Sequence, residues 1–183
     1  MSSRKSSPNL PPTFLPKDCE QQELGVAFFD FAPFAEWASS QEDAQIANFL
    51  QAFYALVAEK LQACGARLVK LMGDAGLVVF TKDAAEESIL ALCALTREGR
   101  DCARKFGLDA YLNVNIHFGP VLAGSFGPPG EERFDVIGKT VNIAARLGRR
   151  GVTLSPQAFR CLSAEARERF EKIMRPITYR LRS

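Results

Sequence analysis

Arg67-Leu68-Val69-Lys70-Leu71-Met72-Gly73-Asp74-Ala75-Gly76-Leu77-Val78-Val79-Phe80 reads as two short strands joined by a tight turn. Gly73 and Gly76 tolerate the positive φ such a turn demands, and Val78 and Val79 favour strand. Helical patterns flank this hairpin. Upstream, Ile46, Phe49, Leu50, Phe53, Leu56, Val57 and Leu61 recur at helical spacing until Gly65 stops them, and Ser40 with Asp43 supplies the start signal. Downstream, a second helix is predicted from Ala84 to Phe106, ended by Gly107. Outside the helices lie two more strands. Leu24 to Phe31 is a continuous apolar run short enough for a strand buried on both faces, and Pro33 blocks its continuation. Tyr111 to Phe118 alternates Leu112, Val114, Ile116 and Phe118 against Tyr111, Asn113, Asn115 and His117, a period-two strand with one polar face. The order β, α, β, β, α, β predicts an α+β fold, a ferredoxin-like βαββαβ core with both long helices on one face of the sheet.

Additional C-terminal strands and helices extend this core. Gly124 to Glu132, with Gly127-Pro128-Pro129-Gly130, reads as a loop or projecting hairpin. Phe134 to Ile137, Val152 to Leu154 and Ile177 to Leu181 read as strands, and Thr140 to Leu147 and Pro156 to Leu162 as short helices. Residues 1–20 hold Pro8, Pro11, Pro12 and Pro16 among polar residues and are expected to form a flexible arm or linker, a tail or the stub of a connection to an upstream regulatory domain. Residues 21–183 then form one domain, large enough to bury roughly two thirds of its unfolded surface.

Composition narrows the function classes. Hydrophobic residues make up 47% and charged residues 24%, which excludes a fibrous or disordered chain. The net charge is +2 and only Arg146, Arg149 and Arg150 cluster, so no basic stripe for nucleic acid is present. The five cysteines are widely spaced and form no C-x-x-C pair, which indicates neither a zinc site nor a disulfide framework and fits a reduced, cytoplasmic compartment. No 18-residue apolar run exists, so no membrane span is expected.

The candidate chemistry begins with two carboxylates at strand ends. Asp30 closes one apolar run and Asp74 sits at the hairpin tip; with no histidine or cysteine shell, two such aspartates suit divalent metal completed by substrate phosphates. Asp74 alone also reads as a turn former. Lys70 shares a strand face with Leu68 and Met72, so it is expected in apolar surroundings, where lysine either finds a partner or snorkels from the sheet end. His117, the only histidine, reads as a hydrogen-bonded structural residue. No serine or cysteine is set beside it for a nucleophilic triad, and the glycines at 124 to 130 lack the Gly-Lys-Ser/Thr of a P-loop. Asp135, Asn142 and Arg146 form a second, distant polar cluster.

Four segments together resemble the catalytic domain of the class III nucleotidyl cyclases, the adenylate and guanylate cyclase family. They are Phe29-Asp30-Phe31-Ala32-Pro33-Phe34, Lys70-Leu71-Met72-Gly73-Asp74, the run from Ile116 through Gly119-Pro120 to Gly124, and the run from Asp135 through Asn142 to Leu147. The resemblance spans about Leu24 to Leu181 and implies a set of roles. Asp30 and Asp74 would bind two divalent ions, Mg²⁺ or Mn²⁺, with the carbonyl of Phe31. Lys70 and Asp135 would read the base, Asn142 would orient the ribose, and Arg146 would stabilise charge on the α-phosphate. Phe34 lies in the turn that meets substrate, and Arg175 is the candidate basic contact to the triphosphate. The implied reaction is attack of the ribose 3′-oxygen on the α-phosphorus of a nucleoside triphosphate, giving a 3′,5′-cyclic nucleotide and pyrophosphate.

The resemblance also implies a head-to-tail homodimer. The metal and base-reading residues would come from one chain and Asn142 and Arg146 from the other, with Gly124 to Glu132 as an arm reaching the partner. Adenine offers an N6 donor and an N1 acceptor, which an aspartate and a lysine complement, so ATP is favoured over GTP. Cytosine presents the same donor and acceptor pattern, so CTP stays an alternative. A silent nucleotide-sensing dimerisation domain is a third reading, opposed by the intact Asp30, Asp74, Asn142 and Arg146. Departures from the family pattern are Pro33 in place of glycine, Lys139 for aspartate, Phe118 for a small residue, a short segment after Arg146, and no clear Lys-Gly motif near the C-terminus.

Overall fold

A computed structural model describes residues 18–148 and 150–182. Its first half runs β1 (Glu20–Ala32), α1 (Phe34–Ala38), α2 (Asp43–Cys64), β2 (Arg67–Met72), β3 (Ala75–Phe80) and α3 (Ala85–Lys105). The second runs β4 (Tyr111–Phe126), β5 (Arg133–Ile137), α4 (Lys139–Ala144), β6 (Val152–Leu154), α5 (Pro156–Phe159), α6 (Ala164–Arg167), β7 (Phe170–Ile173) and β8 (Thr178–Leu181). The sheet order is β2-β3-β1-β4-β6-β8-β7, with β5 paired to β4. Its antiparallel part β2-β3-β1-β4 is the expected ferredoxin-like core, and β6 joins β4 in parallel.

The two faces of the sheet follow from strand alternation. Ala27, Phe29 and Phe31 point toward α2 and α3 and enter the main core with Leu112, Val114 and Ile116. The helix supplies Phe49, Phe53, Val57 and Leu61, four residues apart and all buried. Phe53 packs edge-on against Phe29 at 5.7 Å and against Phe31 at 4.8 Å; truncating such a ring to alanine costs about 3–5 kcal/mol. On the opposite face, Leu24, Val26, Leu77, Val79 and Val121 form a smaller cluster closed by Val136 of β5 and Ala144 of α4. The polar row of β4 also lies on that face, and Asn113, Asn115 and His117 are all buried.

Several expectations are corrected. Ser40 does not cap α2: Glu42 precedes the helix, and the Ser40 hydroxyl donates to the Trp37 carbonyl in the turn after α1, an element with too few residues to leave a periodic signal. Lys70 does not share a face with Leu68. A bulge between Leu68 and Lys70 shifts the register so that Lys70 pairs with Leu77 of the smaller cluster, while Leu68 packs on the main core. The strand β4 runs eight residues beyond the predicted Phe118, because β1 and β5 supply ladder partners there. The helices α4 and α5 end before Leu147 and Leu162, and their last turns tighten to i→i+3 bonds such as Leu147 N–H to Ala144 and Leu162 N–H to Phe159. The short α6 and β7 are not predicted from the sequence at all. The final strand starts at Thr178 rather than Ile177.

Residues 1–17 of the predicted arm lie outside the described residues. At its other end Glu20 already belongs to β1, and Asp18 accepts a hydrogen bond from Ser125 N–H at 3.1 Å. Among the described residues no helix is long and apolar enough to cross a membrane, and all five cysteines are free thiols.

Candidate active site

Asp30 and Asp74 reach one another through the backbone. The apolar run of β1 carries Asp30 to within two residues of the strand's end at Ala32, and the β2–β3 turn brings Asp74 alongside, where its Oδ2 accepts the Phe31 N–H at 3.0 Å. The turn is held on both sides. Gly73 takes a φ of 64°, open to glycine at little cost, and its carbonyl accepts the Tyr54 hydroxyl from α2 at 2.7 Å. Gly76 permits β3 to lie close to β1, since a Cβ there would stand 2.2 Å from the Phe29 ring. Across the sheet, Asn113 donates from Nδ2 to Asp30 Oδ2 at 3.2 Å.

Burial raises the Asp74 carboxyl above its ordinary value; the Phe31 N–H pulls it back and the charge of Asp30 raises it further. Two carboxylates that repel one another at a strand end, beside half-buried surroundings, are the donor set a hard cation neutralises. Among the described residues no group of three or more His, Cys, Asp or Glu is arranged for a metal. Two carboxylates suit Mg²⁺ or Mn²⁺, which take few protein oxygens and would complete their coordination with water and phosphate.

Lys70 and Asp135 form the second pair. Lys70 Nζ donates to Asp135 Oδ2 at 2.5 Å, and Asp135 Oδ1 accepts the Val136 N–H at 2.8 Å. The β4–β5 hairpin bends over the sheet to make this contact, and Arg67 of β2 lays its guanidinium 3.4 Å from the Phe134 ring centre. A cationic donor and an anionic acceptor are thus presented side by side, both partly open to solvent.

Asn142 and Arg146 lie one helical turn apart on α4 and the turn that follows it, both exposed. They edge a groove of about 630 Å³ with His117, Ser155, Ile177 and Thr178. His117 makes the structural bond expected of it: Nδ1 and Ser155 Oγ are 2.8 Å apart, and Ser155 caps α5 by accepting the Ala158 N–H. Burial lowers the His117 pKa, so the imidazole is neutral at pH 7. Arg175 occupies the β7–β8 turn with φ 72° and is exposed, next to Pro176 of the same groove. The Phe34 ring, partly buried, packs against Trp37 and Phe49 at 5.8 and 6.0 Å.

The nine residues picked out from the sequence thus fall into three groups. Asp30, Asp74 and Phe31 meet near the strand ends, Lys70 meets Asp135, and Asn142 and Arg146 border the groove, with Arg175 one residue before its Pro176, while Phe34 packs on the core. Two neighbours escape sequence reasoning. Asn113 shows only as part of a polar strand face, and Tyr54 is one more aromatic in a helix whose partner lies 19 residues away.

Comparisons with known proteins bear on the family and the fold. The family described as the adenylate and guanylate cyclase catalytic domain matches residues 17–178. An uncharacterized protein of Mycobacterium tuberculosis, Rv1318c, is 29% identical over 166 residues; the match covers 82% of this chain but 29% of that protein's length. Among solved structures, the guanylyl cyclase Cya2 superposes with a TM-score of 0.79 at 14% identity, covering 90% of this chain and 93% of that one. The adenylyl cyclase CyaB from P. aeruginosa superposes equally at 0.79 with 19% identity, covering 91% and 96%. At such identities these two likenesses speak for the fold.

Proposed function

The chain belongs to the adenylate and guanylate cyclase catalytic domain family, and on that premise we propose that it is an adenylate cyclase, converting ATP to 3′,5′-cyclic AMP and pyrophosphate at a site shared by two copies. The observation that carries the choice of base is the Lys70–Asp135 pair. Lysine offers a donor to adenine N1 and aspartate an acceptor to the N6 amino group. Guanine reverses both, and each buried mispaired group costs about 1–3 kcal/mol.

The other residues take roles that suit their chemistry. Asp30 and Asp74 hold two divalent ions with the Phe31 carbonyl; when bound, the ions activate the ribose 3′-oxygen and clamp the triphosphate. Arg146 presents a planar fork to α-phosphate oxygens that gain charge as the bond to the 3′-oxygen forms. Asn142 orients the ribose, so that the 3′-oxygen meets the phosphorus in line.

Sheet order supports sharing between chains. The β7–β8 turn with Arg175 sits on strands at least three places from β1, so Arg175 is on the order of 14 Å or more to the side of its own Asp30. On this reading Arg175, together with Asn142 and Arg146, serves a triphosphate held by the aspartates of a second copy, in a head-to-tail homodimer with two equivalent sites. Because β5 runs through Gly138 into α4, Asp135 and Lys70 go with Asn142 and Arg146. That grouping differs from the one implied by the sequence resemblance, which placed them with the metal-binding aspartates.

The test is incubation of the protein with Mn²⁺ and ATP, CTP, GTP or UTP singly, with identification of the cyclic product. Cyclic AMP in excess is expected. Cyclic CMP as the main product overturns the base assignment, and no cyclic product from any of the four overturns the catalytic reading.

A further inference from the structure

Asn113 stands directly opposite Asp30 in the β1–β4 ladder. Its neighbours Leu112 and Val114 enter the helix-covered core, so alternation turns Asn113 to the same face as Asp30. The donor end of its amide is engaged, Nδ2 to Asp30 Oδ2 at 3.2 Å. The acceptor end is not. Asn113 is 5% exposed, and its Oδ1 has no hydrogen-bond partner among the described residues.

A buried carbonyl without a donor destabilises the fold, and a leucine would fill the same place without that cost. Nor does the fold need the amide to satisfy Asp30, which is only partly buried and open to water. What the amide does is hold one carboxylate oxygen and leave the other for a ligand, with an unused acceptor on the same rigid plane. Mg²⁺ and Mn²⁺ bound by few protein groups keep several waters, and those waters are O–H donors in need of acceptors.

Resting on the reading of Asp30 and Asp74 as a cation-holding pair, we propose that Asn113 is a positioning residue of that cation site. Its Nδ2 fixes the orientation of Asp30, and its buried Oδ1 accepts a hydrogen bond from water carried by the cation. Such groups behind a metal ligand typically contribute 10–100-fold to affinity.

The experiment is a titration of the nucleotide-free full chain with Mn²⁺ alone, following the free ion by electron paramagnetic resonance, with thermal unfolding measured in parallel. Asn113→Leu is expected to melt at or above the wild-type temperature, since the unpaired carbonyl is gone, yet to bind Mn²⁺ about 10–100-fold more weakly. Asn113→Asp keeps an acceptor and sets a second charge against Asp30. It is expected to be less stable than wild type without Mn²⁺ and to gain more stability when Mn²⁺ is added.

A folded Asn113→Leu protein with wild-type Mn²⁺ affinity, beside an Asp30→Ala protein that has lost it, overturns the role of Asn113 and leaves the cation site standing. If wild type binds no Mn²⁺, or Asp30→Ala binds it unchanged, the cation reading falls and takes this proposal with it. Should Asn113→Leu fail to fold, Asn113→Asp decides: stabilisation by Mn²⁺ no larger than in wild type counts against the proposal.

Discussion

Replacing Tyr54 with phenylalanine removes one oxygen and keeps the ring, so it isolates what the hydroxyl does for the β2–β3 turn. That hydroxyl donates to the Gly73 carbonyl at 2.7 Å, one residue before Asp74. Burial, with the charge of Asp74 second, raises the Tyr54 pKa, so the phenol stays protonated and donating at neutral pH. Gly73 is exposed, and its carbonyl can turn to water when the partner is lost. The stability cost therefore belongs in the lower half of the usual range, about 0.5–1 kcal/mol, or roughly 1–4 °C for a domain of this size.

The effect on turnover should be larger than the effect on melting. A displacement of about 1 Å at a reacting centre costs on the order of 100-fold. Asp74 keeps two other restraints, the Phe31 N–H and the Met72–Ala75 pairing of the hairpin. We therefore expect about a tenfold loss in kcat/KM for ATP, within that ceiling, and a matching rise in the Mn²⁺ concentration for half-maximal rate. The assay is cyclic nucleotide formation across a Mn²⁺ series, with melting recorded on the same samples. A lower melting temperature with unchanged Mn²⁺ dependence would refute the reasoning, because it would make Tyr54 a purely structural residue.

Two further expectations concern the paired groups. Asp30→Ala and Arg146→Ala, each inactive alone, should regain activity when mixed, since one interfacial site then has both intact halves. Lys70→Ala should likewise be rescued by Asp30→Ala and not by Arg146→Ala; the reverse pattern, with heterodimers shown to form, would return Lys70 to the aspartate half. Asp74→Asn should abolish Mn²⁺-dependent turnover while raising the melting temperature of the metal-free protein at pH 7. Burial holds the native carboxyl above its ordinary 3.8, so the native state binds the proton more tightly than the unfolded chain, and stability is lost as pH rises from 3.8 through the native value. A metal-free Asp74→Asn protein that melts below wild type at pH 7 would contradict this sign.

Elements with strong periodic signals were legible in the residues: the apolar run of β1, the four-residue spacing of α2, and Gly73 and Gly76 around Asp74. What escaped depends on contacts distant in sequence. Nothing near Lys70 announces the bulge that turns it toward Asp135, 65 residues on, and the extension of β4 past Gly119-Pro120 needs β1 and β5 to be in place. The short α1, α6 and β7 have four or five residues each, too few for a period to appear. The same limit hid the site's supports. Asn113 was visible as a polar residue but its partner was not, and Tyr54 carries no local mark of its contact with the turn.

All thirteen residues of β1 are paired in unbroken register with β4, from Glu20 opposite Ala123 to Ala32 opposite Tyr111. That ladder restricts how the gene can drift. One codon gained or lost between Asn113 and Ala123 would move part of the strand by a residue and exchange its two faces, setting Asn115 and His117 into the aromatic core or the core residues onto the polar row. Substitutions can accumulate along β4, but length changes are admissible only where no ladder is crossed, such as the Gly127 to Glu132 tip of the hairpin. An alignment with distant relatives that opens a gap inside this strand has therefore misplaced it.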